Sequence, residues 1–139
     1  MKPYTKVSVN GTFDILHKGH ALLLKKAFES DYVLVGLTSD GFCKIKKNVR
    51  PYNLRYNDLK KYLDSYFNKS YEIIKIDDIY GYAIYIEDLE AIIVSEETYP
   101  NAVKINDIRE KKHMKKLDIV KIAMLKDKTG VISSSRLRK

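Results

Sequence analysis

A chain of 139 residues, 45% of them hydrophobic, is long enough for one packed domain spanning residues 1–139 and too apolar for a disordered one. No apolar run approaches the roughly 20 residues of a membrane span, Met1-Lys2-Pro3-Tyr4 has no apolar signal region, and Cys43 stands alone; these exclude a membrane partner and an internal disulfide and lead us to expect a cytoplasmic protein. Twenty-six Lys and Arg against 18 Asp and Glu leave a net charge of +8, which fits either an anionic partner or a solvated lysine-rich surface.

The pattern predicts a first strand over Thr5–Val9 and a helix over Lys18–Ser30, with Ala21, Leu22, Leu24 and Phe28 on its apolar side. Tyr32–Leu37 is nearly continuously apolar, as expected of a strand covered on both faces, and Thr38-Ser39-Asp40-Gly41 ends it. Tyr52–Phe67 reads as a helix, with Leu54, Leu59, Tyr62, Leu63, Tyr66 and Phe67 at three- and four-residue spacing. Glu72–Ile76 is a third strand, and Asp77–Tyr85 a loop with a turn at Gly81. Ala91–Ser95 is a fourth strand, and Tyr99–His113 a helix that tolerates Pro100 in its first turn. Leu117–Leu125 is a fifth strand, the residues Lys126 to Gly130 a turn, and Ser133–Arg138 the start of a terminal helix. Strands alternating with helices predict an α/β fold, a single-domain doubly wound parallel five-stranded sheet with right-handed crossovers.

Between the first strand and the first helix lie Gly11-Thr12-Phe13-Asp14-Ile15-Leu16-His17-Lys18-Gly19-His20. The start of a helix presents unpaired N–H groups and partial positive charge, which suit phosphate. Gly11 allows a ligand to approach the backbone. His17 and His20, three apart, can both face a triphosphate. A metal site would need a third protein ligand, and neither His113 nor Cys43 has local ligand spacing; simple helix capping belongs more to Ser, Thr, Asp and Asn than to His.

Other stretches point the same way. Ser133, Ser134 and Ser135 stand at a helix start with Arg136 one turn in, a second anion site or else a serine cap with a basic tail. Asn106 and Arg109 lie three apart on one helix face, so Arg109 is either an exposed clamp on a triphosphate or a solvated cation. Glu97 and Thr98 serve as first-turn acid and cap. Between Lys44 and Lys61 stand Lys44, Lys46, Lys47, Arg50, Arg55, Lys60 and Lys61, with Asp58 the one acid, after a strand end where open α/β sheets bind ligands. That charge would also suit nucleic acid, whose binding should weaken steeply with salt. A dinucleotide-binding oxidoreductase is disfavoured because no GxGxxG turn is present.

The stretch 11–20, Gly36-Leu37-Thr38-Ser39-Asp40, Arg55, residues 78–83 (DIYGYA), residues 93–98 (IVSEET), Ile105-Asn106-Asp107-Ile108-Arg109 and residues 131–138 (VISSSRLR) together resemble the archaeal and eukaryotic type of phosphopantetheine adenylyltransferase. The first and last are shared by the wider HIGH-motif nucleotidyltransferase superfamily, which includes cytidylyltransferases and FAD-synthetase-like enzymes. The chain departs from the pattern at Tyr82, where Pro is common, and at Ser135, where Thr is usual.

The resemblance implies a Rossmann-like nucleotidyltransferase fold and adenylyl transfer from ATP to 4′-phosphopantetheine, with magnesium (Mg2+) carried by the ATP phosphates, no protein metal ligands and no nucleic-acid partner. With the residues, it implies His20 on the α- and β-phosphates and His17 on neighbouring oxygens. Thr12 and Lys44, with Lys46 as substitute for Lys44, would hold the acceptor phosphate. Ser133, Ser134, Ser135, Arg136 and Arg109, with Asn106 beside it, would hold the nucleotide, and Gly11 and Phe13 would shape the floor. Asp14 is expected to brace the turn through backbone N–H groups.

Overall fold

A computed structural model describes residues 4–14, 16, 18–43 and 49–123, together with the backbone of 126–127 and 130–131. Its strands are β1 (Lys6–Gly11), β2 (Tyr32–Thr38), β3 (Ser70–Ile76), β4 (Ala91–Ser95) and β5 (Asp118–Ile122). They form a five-stranded sheet in the order β3-β2-β1-β4-β5, and every neighbouring pair is parallel. A two-residue hairpin, β6 (Lys126–Asp127) with β7 (Gly130–Val131), stands where the sequence predicts a turn. The helices are α1 (Lys18–Ala27), α2 (Asp40–Cys43), α3 (Tyr52–Tyr66) and α4 (Tyr99–Lys111). The predicted terminal helix at Ser133–Arg138 lies outside the described residues.

The two-residue period of the strands decides what each face meets. Val7 and Val9, Val33, Val35 and Leu37, and Ala91 and Ile93 face one way, packing with Leu24, Ala27 and Phe28 and with Leu59 and Leu63 of α3. Leu34, Ile92 and Val94 face the other way, against Ala102 and Ile105 of α4 and against Ala83 and Leu89. Both faces are covered, so the strands read as apolar runs.

The helices differ in detail from their predicted faces. Leu23 of α1 is buried and Ala21 only partly so. On α3 the buried set is Arg55, Leu59 and Leu63, four apart, while Leu54 and Tyr66 are exposed at 51% and 71%. The four-residue spacing was legible, but a cation occupies its first position. The segment after β2 holds the helix α2, which is too short to leave a periodic signature. Ser39 starts it by accepting the Phe42 N–H at 3.1 Å, an ordinary serine cap. No helix among the described residues is long and apolar enough to cross a membrane.

The chain builds β2 and β3 to one side of β1 and β4 and β5 to the other. The strand order therefore reverses between β1 and β4. Ligands in open α/β sheets bind at that reversal, beyond the carboxyl ends of the strands. The segment 11–20 leaves β1 at this point.

Candidate functional site

The turn after β1 is built around Phe13. Its φ of 46° places it in the left-handed region, uncommon for a residue with a side chain. Burial holds it there, since it is 2% exposed and its ring lies 5.2 Å from that of His20, tilted by 56°. A Cβ at Gly11 would come within 2.9 Å of the same ring. Glycine at 11 thus makes room for Phe13, and Phe13 in turn backs His20 in the first turn of α1. The floor expected of Gly11 and Phe13 is in this sense a support for the histidine.

Asp14 is fully buried, and its Oδ1 accepts the Arg50 backbone N–H at 3.1 Å and the Arg50 Nε at 3.0 Å. Arg50 Nη2 donates to the Asp14 carbonyl, and Nη1 to Asp58 Oδ2 at 2.6 Å. The hydrogen bonds to Asp58 and then Asp14 raise the Arg50 pKa above its ordinary value. Asp14 is expected to brace the turn through backbone N–H groups; the backbone N–H it accepts here is that of Arg50, 36 residues away.

Arg55, also fully buried, joins the carboxyl ends of β1 and β2. Its Nη1 donates to the Thr38 carbonyl at 2.9 Å, the Thr12 carbonyl at 3.1 Å and, more weakly, Thr38 Oγ1 at 3.4 Å. Its Nε donates to the Arg50 carbonyl at 2.8 Å and its Nη2 to Asp40 Oδ1 at 3.1 Å. The same Asp40 oxygen accepts the Tyr52 N–H at 2.8 Å, placing negative charge at the start of α3. A buried cation costs several kcal/mol in lost hydration; here backbone carbonyls and one carboxylate replace the water. A fixed positive charge therefore lies behind Thr12. Arg50 and Arg55, two of the seven basic residues between Lys44 and Lys61, are committed to this network.

Two expected nucleotide ligands are instead engaged inside the protein. Arg109 is neither an exposed clamp nor a solvated cation but fully buried. Its Nη1 donates to the carbonyls of Ala83 at 2.6 Å and Ile86 at 3.0 Å, and its Nε to that of Lys115 at 2.8 Å. Burial lowers its pKa, with Glu87 acting in the opposite direction. Asn106 is likewise engaged, donating to the Leu117 carbonyl at 2.9 Å and accepting the Leu117 N–H at 2.7 Å. Both side chains fasten α4 to the chain around it by meeting backbone groups that lie outside the strands and helices. Thr98 precedes α4, but its Oγ1 accepts the Ser95 N–H at 3.0 Å rather than capping the helix.

The structure brings together Gly11, Thr12, Phe13 and His20 of the expected site, and adds Thr38, Asp40, Arg50 and Arg55. The sequence signal for the additions was the residues 38–40 after a strand end and an arginine at a helix core position. His17, Lys44, Lys46, Ser133, Ser134, Ser135 and Arg136 lie outside the described residues.

Comparison with known proteins fits this arrangement. The family described as cytidylyltransferase-like matches residues 8–139. The chain is 49% identical to the phosphopantetheine adenylyltransferase of Thermococcus gammatolerans over 98% of this chain and 88% of that one. It is 47% identical to the enzyme of the same name from Pyrococcus horikoshii, over 99% of this chain and 90% of that one. Among solved structures, a protein of unknown function from Archaeoglobus fulgidus superposes with a TM-score of 0.75 at 35% identity, covering 85% of this chain and 89% of that one.

Proposed function

Because this chain belongs to the cytidylyltransferase-like family and stands among its archaeal phosphopantetheine adenylyltransferases, we propose that it transfers an adenylyl group from ATP to 4′-phosphopantetheine, a step of coenzyme A biosynthesis. The products are dephospho-coenzyme A and pyrophosphate. The observation that carries this reading is that the turn from β1 to α1 lies where the strand order reverses, with Thr12 directly after β1 and His20 in the first turn of α1.

The acceptor phosphate is already a nucleophile. It attacks the α-phosphorus in line; an O–P bond forms and the bond to the bridging oxygen of pyrophosphate breaks. No covalent enzyme intermediate is needed, and catalysis is positioning and stabilisation of charge. His20, backed by Phe13, is assigned to the α- and β-phosphates, and His17 to the neighbouring oxygens. Thr12 with Lys44, or Lys46 in its place, is assigned to the acceptor phosphate. The buried Arg55 charge behind Thr12 favours an anion there. Ser133, Ser134, Ser135 and Arg136 are assigned to the β- and γ-phosphates; Asn106 and Arg109 take no part.

Magnesium is proposed to arrive on ATP, since Mg2+ keeps several waters and suits phosphate oxygens. Among the described residues no group of three or more His, Cys, Asp or Glu is placed to hold a metal. When bound, it supplies positive charge to the polyphosphate. The reaction is placed in the cytoplasm, in keeping with Cys43, which is a buried free thiol.

Purified protein should release pyrophosphate from ATP only when 4′-phosphopantetheine is present, and CTP should not replace ATP. Faster release from CTP would move the chain to the cytidylyltransferases proper. Changing Arg136 to Lys keeps the charge but loses the bidentate fork, so it should raise the KM for ATP with little effect on the acceptor. Lys44→Ala should do the reverse. Steady-state kinetics with each substrate varied in turn test this pair, and an Arg136→Lys effect confined to the acceptor would refute the assignment.

A further inference from the structure

The carboxyl ends of β1 and β2 carry a row of hydroxyl and thiol groups behind the turn. Thr38 Oγ1 lies 3.1 Å from Thr12 Oγ1, to which it donates, 3.0 Å from Cys43 Sγ and 3.4 Å from Arg55 Nη1. A threonine hydroxyl has one proton to give and can accept two. Thiol sulfur is a weak acceptor, so the Thr38 proton goes to the Thr12 oxygen and the Cys43 thiol donates to Thr38. The Arg55 guanidinium can only donate, and its permanent charge turns the Thr38 lone pairs toward itself and the proton away. Donation therefore runs in one direction, from the buried cation and thiol through Thr38 to Thr12. Thr12 then keeps its own proton, and no acceptor for that proton is recorded among the described residues. Thr12 is half-buried directly after β1, where the strand order reverses.

On the adenylyl-transfer reading above, we propose that Thr38 is a positioning residue whose hydroxyl fixes Thr12 as a hydrogen-bond donor to the phosphate of the acceptor. An anion accepting from Thr12 completes a row of hydrogen bonds whose other end is a buried guanidinium, and such rows strengthen one another. The row would equally disfavour an acceptor that must itself donate a proton at this point.

The test is kinetic. Wild-type protein, assayed by pyrophosphate release, checks the underlying reaction; without turnover there, that reading fails and the proposal with it. Given turnover, Thr38→Val, which keeps the shape and removes the hydroxyl, should raise the KM for 4′-phosphopantetheine about tenfold, the scale of one lost hydrogen bond to a charged group. The KM for ATP should move by less than about twofold, and Thr38→Ser should restore the acceptor KM, because only the oriented hydroxyl is at stake. In a Thr12→Val background, adding Thr38→Val should cost less than about twofold, since both changes remove one interaction. Thermal melting reports whether the variants fold; if Thr38→Val does not, Thr38→Ala takes its place in the same comparison. A folded variant with wild-type acceptor KM, with both KM values raised alike, or with additive losses in the double variant overturns the proposal.

Discussion

Replacing His20 with Ala is expected to lower kcat about 10²–10³-fold, the range for removing one preorganised donor from a developing negative charge. The KM for ATP should change far less, because the interaction is strongest in the transition state. The fold should survive. His20 is only partly buried, and losing its contact with the tilted ring of Phe13 costs about 1 kcal/mol. The measurement is turnover with both substrates saturating, alongside a melting curve. Near-wild-type turnover would remove His20 from the mechanism. A collapsed melting temperature would instead show that His20 and Phe13 support the turn as a unit.

Arg109 should behave in the opposite way. Changing it to Ala removes the guanidinium donor from the carbonyls of Ala83, Ile86 and Lys115, of which the Ala83 contact is buried, and opens a cavity at a fully buried position. A loss of about 3–5 kcal/mol is expected, from the lost hydrogen bonds and the missing side chain. For a chain of this length that lowers Tm by roughly 10–20 °C. Lys at 109 should recover little, because a single ammonium cannot span three carbonyls with the geometry of the guanidinium fork. Below its lowered Tm, the variant should keep the wild-type KM for ATP. A variant of normal stability with a sharply raised KM for ATP would restore the role of nucleotide clamp that the family resemblance implies. Calorimetry and ATP-dependent kinetics on one preparation separate the two roles.

The contrast between these two residues shows where reading the sequence stops. His20 belongs to a pattern that is local: strand, glycine-bearing turn and helix start within ten or so residues, each recognisable by its own period or by its residue types. Arg109 also belongs to a pattern, three residues after Asn106 on one face of α4, but spacing cannot say what that face meets. Its partners Ala83 and Ile86 are 26 and 23 residues away. The same holds for Arg55, four residues before Leu59 and eight before Leu63. Hydrophobic periodicity places Leu54 inward, whereas the structure exposes Leu54 and buries the arginine, because the ends of β1 and β2 offer carbonyls that need a donor.

What the sequence determined by itself is therefore what neighbouring residues dictate to one another. The apolar runs of β1, β2 and β4 made a sheet covered on both faces, the alternation of strands with helices made it parallel, and the segment 11–20 marked the turn where the strand order reverses. Only the tertiary structure decided which polar side chains are committed to partners inside the protein. Asp14 takes the Arg50 backbone and guanidinium, Arg55 ties Thr12 to Thr38, and Asn106 and Arg109 turn inward. The physical reason is that a buried polar group must find a partner wherever the fold leaves one, and for these residues the partner stands in another element, between 5 and 43 residues away along the chain.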